Sequence, residues 1–193
     1  MTPESRKASS ESKLRALGIP VNEHLPLIET EEEITIRSQD EVFHRLLSLW
    51  AVVGKAFIGS ESSFASYITG QGLQPWLSDQ ERAFLFAETP SERDCIYFSW
   101  QLEAFFFIAW SAGLLEASEI PTEESSVQSI LDLFPKETET PERLRNAIRV
   151  RAKSEILNRA DLLYRLHWAV RNAKLRACEN FRHRACHVGM RRR

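Results

Sequence analysis

Three groups of residues in this chain have types and spacings that chemistry could use. The first is a single carboxylate, Glu103, set in the run Leu102-Glu103-Ala104-Phe105-Phe106-Phe107. An ionised carboxylate among apolar neighbours is expensive to bury unless it is paired, neutral or turned toward a cleft. Burial would raise its pKa and suit it to general acid or base catalysis near neutral pH. The competing reading is a structural carboxylate that accepts hydrogen bonds from an arginine or a tryptophan N–H. The second group is Asp161, Tyr164, Arg165, His167 and Trp168. On a helix, residues three and four apart are neighbours, so Asp161, Tyr164, Arg165 and Trp168 form one strip, with His167 above Tyr164 toward the adjoining face. Arg165 could hold an anion while His167 moves a proton. Structurally, Asp161 and Arg165 would instead be an i,i+4 ion pair and the two rings core fillers. The third group is Cys178, His183, Cys186 and His187. These are soft zinc ligands by type, but C-x4-H-x2-C-H has none of the usual ligand spacings, so no metal and no cofactor is expected.

The motifs that dictate a reaction are missing: there is no G-x-G-x-x-G, P-loop, H-E-x-x-H, G-x-S-x-G or C-x-x-C. Function therefore has to be read from the elements that position these residues. Pro3 to Leu17 reads as a charged helix with Leu14 and Leu17 as its large apolar contacts, stopped by Gly18 with Pro20 beyond. Residues 19–37 contain Pro20 and Pro26 and then alternate Ile34, Thr35, Ile36, which predicts an extended arm or one short strand. Ser38 with Glu41 is a capping box. The helix it opens carries Val42, Leu46, Leu49, Trp50, Val53, Ala56 and Phe57 at three- and four-residue steps, a stripe that must be buried. A short helix is expected at Phe64 to Ile68, another after Ser78 with Glu81, and a third opened by Thr89-Pro90 with Glu92, Pro90 at its first position. From Cys95 to Leu115 nearly every residue is apolar, which predicts a central helix buried on all sides. Val127 to Phe134, Glu142 to Arg151 and Ser154 to Lys174 complete the helical segments, the last two separated by a bend near Lys153-Ser154.

Composition agrees with this class. The chain has 193 residues, 43% hydrophobic and 27% charged, which is globular rather than disordered. Seven glycines and eight prolines are too few for the many tight turns of an all-β fold. The fold expected is mainly α: a single compact helical domain around a central apolar helix, with the short extended arm near residues 19–37. Three cysteines without framework spacing and no secretory h-region predict a cytoplasmic protein. Ile96 to Leu115 is long enough to span a bilayer, but Gln101 and Glu103 near its middle argue against it, a charge there costing on the order of 3 kcal/mol. The net charge of −2 conceals an imbalance. Residues 171–193 hold eight Lys/Arg against one Glu, +7, and the remainder 17 against 26, −9. A basic end of this kind can bind nucleic acid, but Phe181 is thin aromatic interleaving, and no nucleic acid partner is expected.

Taken in order, several blocks resemble a known family. They are Gly18-Ile19-Pro20, Leu25-Pro26, Arg37-Ser38, Glu41-Val42 and Leu49-Trp50-Ala51-Val52. Ser99-Trp100, Glu103-Ala104, Trp110 and Glu155-Ile156-Leu157 follow, and then the most specific ones, Asp161-Leu162-Leu163-Tyr164-Arg165 and His167-Trp168-Ala169. Between about Lys13 and Ala173 the chain is similar to the bacterial proteins grouped as domain of unknown function family 4272. The resemblance implies a compact, mainly helical fold and no assigned activity, and it places Glu103, Asp161, Tyr164, Arg165, His167 and Trp168 on the family pattern. Residues 1–175 are accordingly expected to be the family's helical domain. The family pattern continues through a Gly/Pro-rich turn into an apolar stretch, whereas residues 176–193 are rich in Arg, Cys and His, as a shifted reading frame would give. They are read as a basic tail outside the family.

Two functional expectations follow. The preferred one is a non-catalytic protein that binds a protein partner, since an acidic body with many Trp and Phe suits a basic or aromatic-accepting surface. Its candidate binding cluster is Asp161, Tyr164, Arg165 and Trp168. The alternative is an acid/base enzyme, hydrolase- or transferase-like, with Glu103 and His167 as candidate catalytic residues in one cleft with Asp161 and Arg165.

Overall fold

A computed structural model describes residues 1–59, 63–117, 119–121, 134–136 and 139–189, with side chains described as far as residue 175. The protein is mainly helical, and no strand occurs among the described residues. The chain divides into two units: Met1–Thr35 together with the chain from Ala152 onward, and Ile36–Arg151.

The first unit pairs α1 (Pro3–Ala16) with the long α8 (Lys153–Gly189). Thr2 caps α1, its hydroxyl accepting the Ser5 N–H. At the other end Gly18 takes φ +70°, while its N–H reaches Arg15 O and the Ile19 N–H reaches Leu14 O. A left-handed residue at this position closes the last carbonyls of the helix, which only glycine does without a Cβ clash. The inward face of α1 is chiefly polar: Arg6, Ser10 and Glu11 are buried beside Leu14. The arm that follows forms no strand. Its carbonyls are taken up by cations of both helices, Lys7 donating to Glu23 O (2.5 Å) and Leu25 O (2.9 Å), and Arg6 to Glu29 O (2.9 Å). Lys153 donates to Glu31 O (2.8 Å) and Ile34 O (2.9 Å). Extended backbone must find partners, and here lysine and arginine do the work of a neighbouring strand.

The second unit is organised by α2 (Gln39–Ile58), with Ser38 and Glu41 making both bonds of the expected capping box. Every residue from Val42 to Lys55 except Arg45 is buried. Around α2 lie α3 (Phe64–Gly70), α4 (Asp79–Phe86), α5 (Glu92–Ser99), α6 (Gln101–Ser111) and α7 (Glu142–Ala147), each in contact with it. A single 3-10 turn, Gln74–Trp76, precedes α4. Lys55, buried at the end of α2, donates to Leu85 O (2.8 Å) and Ala87 O (2.6 Å), so its charge sits on the carbonyl end of α4. Glu81 is buried as well. It completes the Ser78 cap and takes a 2.5 Å hydrogen bond from Arg45. Burial alone would raise its pKa, but the Ser78 N–H and the Arg45 guanidinium outweigh burial and hold it below the ordinary carboxylate value.

Several expectations are corrected. The stretch from Cys95 to Leu115 is neither one helix nor buried on all sides. It breaks at Trp100 into α5 and α6, and only Phe98, Leu102, Phe105, Ala109 and Ala112, one stripe at helical spacing, are buried. Ile96, Tyr97 and Trp100 are 53%, 45% and 70% exposed, because the place at the centre of the unit is taken by α2. Pro90 lies outside α5, whose cap is Ser91. The segment 142–151 stays helical only to Ala147. Residues 148–151 then run along the end of α6, where the Arg149 N–H meets Ala112 O and the Arg151 N–H meets Ser111 O, both at 2.8 Å. Gly113, at φ +72°, is required there, since a Cβ would stand 2.6 Å from Arg149 O. The helix expected at Val127 to Phe134 lies, apart from Phe134, outside the described residues.

One buried base of the second unit makes stability depend on pH. His44 is 7% exposed and stacks flat on Trp76, centroids 3.8 Å apart and planes 7° apart. Burial pushes its pKa below 6.5, against the pull of Asp40, whose carboxylate lies 3.5 Å from Nδ1. The unfolded chain then binds the proton more readily than the folded one, so stability is complete above pH 6.5 and falls as pH drops toward the folded value. Melting temperature should decline as pH falls below 6.5, and His44→Phe, which keeps a stacked ring, should flatten that decline. Equal slopes for the two proteins would show that His44 is not the titrating group.

Candidate binding site

The strip read on α8 divides into two faces. Asp161 and Arg165 turn inward at 1% and 2% exposure, and their pairing is bidentate: Arg165 Nε to Asp161 Oδ2 at 2.9 Å and Nη2 to Oδ1 at 2.7 Å. Arg165 Nη2 also reaches Pro26 O at 3.4 Å, and Nη1 stands 3.7 Å from Glu11 Oε1. Glu11 in turn takes Arg15 at 3.1 Å, and the Arg6 Nε donates to Asn158 Oδ1 at 3.3 Å. The result is a buried polar layer between α1, α8 and the arm, in which Arg165 faces the carboxylates of Asp161 and Glu11 while Arg6 is held by the Asn158 amide oxygen and the Glu29 carbonyl. Such a layer fixes how α1 and the arm lie on α8. Within the candidate binding cluster, Asp161 and Arg165 are thus buried and bonded to each other.

Tyr164, His167 and Trp168 face the other way. Together with Arg171, Asn172 and Leu175 of α8 and Leu25 of the arm they line a cleft of about 370 Å³ within the first unit. Tyr164 and His167 are exposed and Trp168 is half-buried. The helix itself explains the arrangement. Tyr164, Trp168, Asn172 and Leu175 follow one another at steps of four and three, and His167 and Arg171 form a parallel row four apart. Leu25 is brought opposite by the arm, which Lys7 and Arg6 hold in place.

Sequence reasoning found Tyr164, His167 and Trp168 but missed the other cleft residues, and it missed Arg6, Lys7, Glu11 and Lys153 altogether. Arg171 and Leu175 continue the i,i+4 and i,i+7 series of the residues already named, and that spacing was the available signal. Glu103 departs from expectation. It is exposed, in the first turn of α6 in the second unit, where a carboxylate complements the positive end of the helix dipole. The burial expected of it is absent. The side chains of Cys178, His183, Cys186 and His187 lie outside the described residues. Among the described residues no group of three or more His, Cys, Asp or Glu is placed to hold a metal ion, and no helix is long and apolar enough to cross a membrane.

Comparison with curated proteins and with solved structures returned no match. The profile of the family described as domain of unknown function DUF4272 matches residues 6–192, which takes in both units, the cleft-lining segment of α8 and residues beyond 175. With a match spanning nearly its whole length, the chain belongs to the DUF4272 family.

Proposed function

We propose that this protein acts by binding a protein partner rather than by catalysis, and that the Tyr164–Trp168 cleft is where the partner docks. The observation that carries the reading is the convergence of a tyrosine, a tryptophan and an arginine, the residue types that dominate binding hot spots, in one half-open cleft built on a rigid helix. The acid/base alternative loses support on the same geometry. Among the described residues His167 shares the cleft lining with no carboxylate that could orient it, Asp161 is bonded to Arg165, and Glu103 is an exposed residue of the second unit. The reading includes a cytoplasmic, bacterial setting, consistent with a cysteine complement that has no framework spacing and with the free thiol of Cys95.

The test is to coexpress the full-length chain with each product of its neighbouring genes and to measure the affinity of any product that co-elutes. Trp168→Ala should weaken that complex by about 30-fold or more, the size of a 2 kcal/mol hot spot, while Glu103→Gln leaves it within about twofold. A complex indifferent to both Trp168→Ala and Tyr164→Ala would overturn the assignment of the cleft. Turnover of any substrate that Glu103→Gln or His167→Ala abolishes would overturn the non-catalytic reading.

A further inference from the structure

We infer that the cleft takes an extended peptide segment of the partner that presents one carboxylate between apolar side chains; this rests on the partner-binding reading and specifies its ligand. Shape comes first. From Tyr164 to Leu175 the lining follows twelve residues of helix, a run of about 16 Å at 1.5 Å per step. That is the length of about five extended residues, and alternate side chains of an extended chain recur every ~6.7 Å, close to the ~6 Å rise between helix positions four apart. One face of such a peptide can therefore set successive side chains over Tyr164, Trp168 and Asn172, which are four apart, with Leu175 at the end of the run and Leu25 closing the opposite wall.

Charge then selects among peptides. The row beside this apolar rail is His167 and Arg171, both exposed, and the exposed Lys174 follows. Arg171 begins a stretch whose sequence carries +7 through residue 193. A carboxylate on the peptide's polar side meets Arg171 in the bidentate geometry guanidinium favours. The number of carboxylates is limited by the facing wall. The arm that supplies Leu25 has five glutamates and no Lys or Arg between residues 19 and 35; Glu23 is paired with Arg15 and Glu31 lies near the N-terminal ammonium, and the other three disfavour a polyanion. The same carboxylates disfavour a nucleic acid strand, which needs a cation for each of its phosphates, whereas the described lining offers Arg171.

The experiment selects displayed random heptapeptides on the full-length protein and measures the enriched sequences by fluorescence polarisation, with a twelve-residue oligo-dT as competitor. Enriched peptides should share one Asp or Glu flanked by Leu, Ile, Phe or Trp. Their affinity should fall at least tenfold for Arg171→Glu, for Tyr164→Ala and for the peptide whose acid is changed to its amide. Arg171 and Tyr164 are exposed, so these variants fold as the parent does, and circular dichroism checks it. Selection on Arg171→Glu should replace the acid by Lys or Arg. Peptides without an acid that still depend on Tyr164 would sink the carboxylate inference while leaving the cleft as the docking site. Enrichment indifferent to Tyr164 and Trp168 would sink both. Displacement of every peptide by oligo-dT at lower concentration would assign the cleft to single-stranded nucleic acid instead.

Discussion

Asp161→Ala should destabilise the first unit by about 3–5 kcal/mol, the cost of removing one partner from a buried ion pair. Arg165 keeps its charge whatever stands beside it, and at 2% exposure it has no water to turn to. Without Asp161 it loses two hydrogen bonds, at 2.9 and 2.7 Å, and retains Pro26 O at 3.4 Å and a carboxylate oxygen of Glu11 at 3.7 Å. The damage should spread along the layer. Amides of the arm and of α1 should exchange hydrogen faster than those of α2, since the arm's carbonyls are held by the same set of cations. Replacing both partners separates stranded charge from lost attraction: Asp161→Leu with Arg165→Met should recover most of the loss, because a buried pair exchanged for apolar groups of similar volume is close to neutral. Urea unfolding followed by circular dichroism measures both. A single variant within 1 kcal/mol of the parent would mean that the layer is hydrated in solution and contributes little.

The parts of this architecture that were legible in the sequence are those governed by local chemistry. The capping boxes Ser38/Glu41 and Ser78/Glu81, the Gly18 stop and the apolar stripe of α2 from Val42 to Val53 depend on residues within a few positions of one another, and each is where the pattern puts it, whereas Phe57, expected on the same stripe, is 50% exposed in the last turn of α2. The pairing of Asp161 with Arg165 was readable for the same reason. What the pattern left hidden depends on partners remote in the chain. Arg6 finds Asn158 across 152 positions, and it finds a backbone carbonyl of the arm, which has no side-chain signature at all. The charged face of α1 reads as solvated because nothing nearby in sequence predicts a second charged face to bury it against. The aromatic run through Trp100 misled for a different reason. Hydropathy states what burial would gain, but the interior of a unit this small accommodates one helix on all sides, and the stripe of α2 is the longer and better spaced. Glu103 followed that error: once its helix is peripheral, its carboxylate is a surface group at a helix start.

Trp50→Ala should cost about 3–5 kcal/mol, the large-to-small penalty for an aromatic ring in a core. Its indole is the hub of the second unit's aromatic cluster, with Phe64 edge-on at 4.8 Å, Tyr67 edge-on at 5.1 Å and Phe134 stacked at 5.9 Å, Phe105 lying 4.9 Å beyond Phe134. Relaxation into the vacated space is restricted on one side by α2 itself. The Phe64 ring already lies where a Cβ on Gly54 would stand, 2.2 Å from its nearest atom, so the helix and the ring are in close contact. Tyr67 is tied as well: its hydroxyl donates to Glu139 O at 3.2 Å, and burial pushes its pKa up to about 12. With both neighbours held, the site keeps most of its cavity, which places the loss in the upper part of the range. The internal control is Trp100→Ala. At 70% exposure its ring buries little, and its removal should change stability by less than about 0.5 kcal/mol. Denaturant midpoints of the two variants, measured at equal slope, test the pair together. Similar losses from both would mean that the exposed rings of α5 and α6 are covered in the folded protein, and that α2 does not carry the core of its unit alone.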